Sequence, residues 1–128
     1  MKRIRVACAV VEIGDKILVV QRSEKMKLPL KWEFPGGKIE LAESPEDCIR
    51  RELLEELNIK VEIASQLTSV NFDYSDSFIE LIPFVVRYDS GEIRLAEHKQ
   101  HMLLSKTELV NLDWSEADIP VLTEYLKL

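Results

Sequence analysis

The sequence predicts an α/β domain, a mixed β-sheet with helices on its faces, and three observations carry that expectation. Apolar, β-branched runs recur at 3–13, 16–21, 59–63, 67–74, 78–88 and 101–104. A single long amphipathic pattern, 45–57, and two short capped ones, 105–110 and 118–126, interrupt them. The chain has 128 residues, 46% hydrophobic and 31% charged, which suits one soluble domain over 1–128 with one buried core. Strands broken by few helices pack as layers, sheet against helix.

Taken in order, residues 3–13 are rich in valine and isoleucine, with charge at Arg3, Arg5 and Glu12, as in a strand buried mainly in its middle. Gly14-Asp15 supplies a two-residue turn, and 16–21 return as the second arm of a hairpin. Periodicity is lost over 23–31, where lysines, Met26 and Pro29 predict a loop over a ligand cleft. Trp32-Glu33-Phe34-Pro35 leads into Gly36-Gly37, a pair expected to turn the backbone tightly and let it approach a metal or phosphate. Ser44 can cap the helix that follows, Pro45 suits its first position and Asp47 can close a capping box.

Beyond that helix, 59–63 alternate, and 67–74 with 78–88 read as a long hairpin around Ser75-Asp76, with Pro83 marking a bulge or an edge. Residues 89–92 turn the chain, Ile93-Arg94-Leu95 is expected to begin another short strand, and 96–100 form a polar loop before the strand through 104. Ser105-Lys106-Thr107-Glu108 is a second capping box. Asp118-Ile119-Pro120 opens a last helix whose Val121, Leu122, Tyr125 and Leu126 pack inward.

The net charge of −6 argues against binding to polymeric nucleic acid or an anionic membrane, because phosphate neutralisation needs surplus lysine and arginine. A small anionic substrate would instead need a local metal cluster. Cys8 and Cys48, one in an apolar run and one in the helix, read as buried thiols rather than a disulfide or metal site. The basic start Met1-Lys2-Arg3 precedes a strand pattern rather than a signal peptide, and the expected location is the cytoplasm. His98 and His101, three apart with no third ligand, do not make a zinc site.

The 45–57 helix carries two stripes. At about 100° per residue, Ile49, Leu53 and Leu57 fall within an arc of roughly 80°, and Glu52, Glu55 and Glu56 within a separate arc of roughly 100°. Like charges at that spacing destabilise a helix by about 0.2–0.5 kcal/mol per pair. Glu55 and Glu56 also sit at the negative end of the helix dipole, and only Arg51 offers relief. A divalent cation with oxygen ligands would remove the repulsion.

These residues carry a resemblance. Gly37, then Glu43 six positions on, then Arg51-Glu52-Leu53-Leu54-Glu55-Glu56-Leu57-Asn58-Ile59, spans 23 residues and resembles the signature of the Nudix hydrolases, which cleave nucleoside diphosphates linked to another group. The family usually has glycine where this chain has Asn58, and asparagine is the next most tolerant residue for a left-handed helix end. Trp32 to Lys38 and Ala117-Asp118-Ile119-Pro120 extend the likeness to MutT-type pyrophosphohydrolases, in particular those acting on CTP.

The resemblance implies an α/β/α sandwich around a curved mixed sheet. It implies Mg²⁺, with Mn²⁺ as a substitute, held by Glu52, Glu55, Glu56, the Gly36 carbonyl and a later loop carboxylate, for which Glu97 is the candidate. Arg51 would orient the carboxylates, and Glu43 would complement the helix dipole and brace the glycine loop. Arg22, Lys27, Gly37 and Lys38 would meet nucleotide or phosphate, and Asp118 the base edge, unless it is simply an N-cap. Phe34 and Phe78 would either line the base pocket or belong to the core. The implied reaction converts a nucleoside triphosphate and water to monophosphate and pyrophosphate, by attack at the β-phosphorus with Glu52 or Glu56 accepting the water proton. An ionised Asp118 would favour CTP or dCTP, since it only accepts hydrogen bonds and cytosine N4 donates. Modified pyrimidine nucleotides would suit the same site, and rival readings are another Nudix substrate, such as a dinucleoside polyphosphate, a nucleotide sugar or an oxidised guanine nucleotide, or a nucleotide sensor without hydrolysis. Either a monomer or a homodimer would suit.

Overall fold

Residues 2–128 are described by a computed structural model, and Met1, part of the basic start, lies outside the described residues. Strand β1 (Lys2–Ile13) is central: it runs parallel to β7 (Ser77–Ser90) along its length, from Lys2 opposite Ser77 to Glu12 opposite Arg87. On its other side, β1 meets β2 (Lys16–Gln21) at only three positions, Val11 to Ile13, after which the two strands diverge. The segment after the 23–31 loop fills that fork. Its first half, β3 (Trp32–Glu33), pairs with β2, and its second, β4 (Gly36–Lys38), pairs with β1. β5 (Lys60–Gln66) and β6 (Val70–Tyr74) both pair antiparallel with β7, and β8 (Gln100–Leu104) pairs with β2.

Side chains alternate across a strand, so β1 feeds two cores. Ala7, Ala9 and Val11 face helix α1 (Pro45–Leu57) with its buried Cys48, Ile49, Leu53 and Leu57, and Cys8 and Val10 face α2 (Ile119–Tyr125) with Val121, Leu122 and Tyr125. This is the expected sandwich. Burial of each large aliphatic side chain in these layers contributes about 1.5–3 kcal/mol. Both cysteines are buried free thiols.

Four expectations change. Gly36-Gly37 makes no turn: both residues extend along β4, and among the described glycines only Gly14 and Gly91 have positive φ. The pair is required by close approach, because a Cβ on Gly36 would stand 2.0 Å from Ala7 O and one on Gly37 2.3 Å from the Glu52 carboxyl carbon. Pro83 marks no edge, since β7 is flanked on both sides. It faces the gap where β6 gives way to β5, and its carbonyl accepts the Leu67 N–H (2.9 Å). Ile93-Arg94-Leu95 is not a strand: Arg94 N–H donates to Leu57 O and Ala96 N–H to Glu56 O (both 3.0 Å), satisfying carbonyls that the end of α1 leaves free. Finally, only half of the first capping box forms. Ser44 accepts from Asp47 N–H (3.1 Å), whereas the Asp47 carboxylate turns to Arg50 (3.0 Å).

Asn58 ends α1 at φ 61°, in the left-handed region, and its side-chain amide donates to Glu92 O (2.9 Å). Glycine at this place would allow the same backbone but offer no such tie to the following loop. The 105–108 capping box forms and opens a 3-10 helix, Lys106–Asn111.

Candidate active site

A cleft opens along the fork between β1 and β2, in two adjoining cavities of about 380 and 430 Å³. Val6, Arg22, Glu33, Leu81 and Asp118 belong to both walls. The first cavity is acidic, bringing Glu52 and Glu56 of α1 together with Glu97, Gly36, Gly37 and Lys38. The second is more apolar, walled by Lys27 and Leu28 from the 23–31 loop, Tyr74 and Ser75 from the β6–β7 hairpin, and Ala117.

Arg51 holds the acidic half in shape. It forms a bidentate pair with Glu43 (Nε to Oε2 2.7 Å, Nη2 to Oε1 3.0 Å) and donates to Glu52 Oε1 (3.0 Å), Glu55 Oε2 (3.3 Å) and Lys38 O (3.2 Å). Glu43 also accepts the Glu40 N–H (3.0 Å), so one ion pair ties the glycine strand to the helix. Its hydrogen bonds to Arg51 hold the Glu43 carboxyl down at about 2. Glu52 and Glu56 go the other way: burial raises both above the ordinary carboxylate value, with Glu97 adding to the effect on Glu56. Glu56 Oε2 is buried without a hydrogen-bond partner. Glu55 departs from the expectation, because its side chain is 57% exposed, paired with Arg51 and absent from the cleft wall.

The acidic half fits a hard divalent cation: its donors are oxygens, one buried carboxylate oxygen lacks a partner, and two carboxylates are uncomfortable as anions. No three acidic, His or Cys side chains among the described residues complete a cage by themselves. The remaining donors would come from main-chain carbonyls and substrate phosphate, as Mg²⁺ commonly uses.

Asp118 is 6% exposed and, although it stands at the N-cap position of α2, its side chain makes no capping hydrogen bond. Trp32 N–H donates to Asp113 O and Ser115 N–H to Trp32 O (both 2.8 Å), which brings 113–115 alongside β3. A single 3-10 turn, Glu116–Asp118, then carries the carboxyl to Phe34, whose N–H lies mid-fork between β3 and β4 and donates to Asp118 Oδ2 (2.8 Å). Burial, and then the nearby Glu33 charge, push the Asp118 carboxyl up to about 8. It is therefore neutral at pH 7, able to donate as well as accept, where the sequence led us to expect an acceptor alone.

Phe34 is buried at the cleft wall, its ring 4.7 Å from that of Trp114. Phe78 is not in the cleft. It sits one residue out of phase with Ile79 and Leu81, which line it, so alternation along β7 sends Phe78 to the other face, under Arg3 (5.4 Å). Arg22 lines both cavities, its guanidinium held by Lys27 O (2.5 Å) and Glu33 Oε1 (2.8 Å). Sequence reasoning missed Glu33, Tyr74 and the buried role of His98. Of these only Glu33 carried a signal, an acidic residue between two aromatics that both prove buried.

The cleft thus joins a fork lined by glutamates to a buried carboxyl in the wall that both halves share. In comparison with known proteins, the NUDIX domain model matches residues 1–125, and the chain belongs to that family as a MutT-type Nudix hydrolase, a nucleotide pyrophosphohydrolase by class. It is 34% identical over 128 residues to the CTP pyrophosphohydrolase of Escherichia coli K12, covering 100% of this chain and 95% of the relative. It is 30% identical to the 8-oxo-dGTP diphosphatase of the same organism, covering both chains fully. The solution structure of the E. coli ORF135 protein superposes with a TM-score of 0.88 at 32% identity, covering 100% of this chain and 91% of that one. No helix of the described residues is long and apolar enough to cross a membrane.

Proposed function

We propose that the enzyme hydrolyses CTP or dCTP to the monophosphate and pyrophosphate, in the cytoplasm and with Mg²⁺, for which Mn²⁺ can substitute. The observation that carries the base assignment is Asp118, buried in the wall common to both halves of the cleft and already oriented by Phe34 N–H. The base would lie where the two halves meet, with Phe34 on the acidic side and Tyr74 on the apolar side, and the phosphates would reach Arg22, Lys27, Gly37 and Lys38. Glu52, Glu56, Glu97 and the Gly36 carbonyl would hold the cation. Bound Mg²⁺ supplies Lewis-acid stabilisation of charge on the phosphoryl oxygens. Arg51, braced by Glu43, fixes Glu52 through Oε1, which leaves Glu56 Oε2 as the better placed atom to accept a proton from the attacking water.

The raised pKa of Asp118 makes the preference depend on pH. Below about 8 the neutral carboxyl can serve either cytosine N4–H or uracil O4, and above it the carboxylate only accepts, so UTP loses its donor. The ratio of kcat/KM for CTP over UTP should therefore rise severalfold from about pH 6 to about pH 9, in line with roughly 1–3 kcal/mol for one good polar contact. A ratio independent of pH would remove Asp118 from base recognition. The second reading, an oxidised guanine nucleotide, is favoured by the same neutral carboxyl, which matches a ring edge bearing both donors and acceptors. Including 8-oxo-dGTP in the panel decides between them.

A further inference from the structure

His98 is a buried, ionisable side chain of the acidic half that the proposed reaction leaves without a part. Its side chain is 6% exposed, and its Nε2 lies 2.8 Å from Glu33 Oε2. The other Glu33 oxygen takes Arg22 Nη1 (2.8 Å), and Arg22 Nε in turn donates to Lys27 O (2.5 Å). A chain of side chains thus runs from the 96–99 loop through β3 to the 23–31 loop. Lys99 pairs with Glu24 across the same gap. The backbone of the 96–99 loop is tied only at its ends, by Ala96 N–H to Glu56 O (3.0 Å) and Lys99 N–H to Gln21 O (2.9 Å). Between these two ties stand Glu97 and His98.

We propose that His98 is a positioning residue: anchored on Glu33, it presents Glu97 to Glu56 and holds the acidic half of the cleft in register with the loop over the nucleotide. A carboxylate accepting from Nε2–H fixes the imidazole tautomer and ring plane, and outer partners of this kind set the geometry of a cation site. A zinc role would need further side-chain ligands, and the described residues offer no such group. The inference rests on Glu97 being a cation ligand, as proposed above.

The test is Mn²⁺ binding to the nucleotide-free protein, followed by electron paramagnetic resonance, for the wild type, Glu97→Gln, His98→Ala, His98→Gln, Glu33→Gln and the His98→Ala/Glu33→Gln pair. Outer-partner changes commonly weaken such sites about 10–100-fold, and His98→Ala should weaken Mn²⁺ toward the Glu97→Gln value. His98→Gln, whose amide can still donate to Glu33, should recover most of the loss. The double variant should bind no worse than Glu33→Gln alone, because the effect travels through that residue. Wild-type affinity in His98→Ala together with a weakened Glu97→Gln overturns the positioning role alone, as does an effect fully additive with Glu33→Gln. Unchanged affinity in Glu97→Gln overturns the ligand assignment and this proposal with it. If His98→Ala does not fold, His98→Gln and Glu33→Gln decide: the proposal requires near-wild-type binding in the first and weakened binding in the second.

Discussion

In the acidic half of the cleft, Glu52 and Glu56 come from two turns of one helix, with Arg51 of the same helix bracing Glu52 from behind, whereas in the apolar half Val6, Arg22, Tyr74 and Asp118 come from four separate segments. The two halves also treat a buried carboxyl differently. Glu56 keeps an oxygen without a partner, its pKa raised by burial and then by neighbouring acids, and so waits for a ligand to relieve it. Asp118 is relieved within the fold, by Phe34 N–H and by remaining protonated. Function is therefore stored as unrelieved charge on one side and as fixed orientation on the other, and substitutions should separate the two.

The largest effect is expected at Glu56→Gln. Loss of a cation ligand or proton acceptor removes several kcal/mol of transition-state stabilisation, so kcat should fall on the order of 10²–10³-fold. Because the folded pKa of Glu56 is raised, its ionisation lowers stability as pH rises through that value, and glutamine escapes the penalty. The metal-free melting temperature of Glu56→Gln should then match or slightly exceed that of the wild type near neutral pH. A large fall would make the acidic stripe structural.

Next come the paired glycines, which test the border of the acidic half. Gly37→Ala drives a Cβ into the Glu52 carboxyl, a side chain able to move, so activity should drop about 10–100-fold with folding largely kept. Gly36→Ala meets the backbone of Ala7 instead and should cost about 1–3 kcal/mol or more in denaturant unfolding. Equal losses of stability in the two variants would break the distinction.

Asp118→Asn should act more gently, and on pH. A carboxyl raised to about 8 stabilises the fold below its unfolded value near 3.8, and that contribution is lost as pH rises through about 8. Asparagine can still accept from Phe34 N–H and does not titrate. Wild type should thus lose stability relative to the variant between those limits, and unfolding curves that stay parallel across that range would refute a raised pKa. The smallest effect is expected for Phe78→Ala, which should leave KM for CTP within about twofold, since the ring lies on the far face of β7. A large rise in KM would mean that the Phe78 ring itself reaches the nucleotide.

The first hairpin, the long helix with its two faces, its left-handed end at Asn58 and the second capping box were legible in the sequence because each depends on residues within a few positions of one another. The acidic half was legible in part: helical spacing gathers Glu52, Glu55 and Glu56 on one arc, although Glu55 stays outside the cleft, and the family resemblance brought in Gly36, Gly37, Glu43, Arg51 and Glu97. What the sequence could not supply was anything set by the divergence of β1 from β2. Only that fork decides that Gly36-Gly37 runs straight, that Phe34 N–H falls between two partners, and that Asp118, 84 residues away, leaves its helix cap to meet it. It also decides that Glu33 joins His98 to Arg22, and strand phase alone turns Phe78 out of the cleft. Local periodicity is written into neighbouring residues, but strand divergence and the burial of a lone carboxyl depend on contacts between distant segments, and these exist only once the sheet has formed.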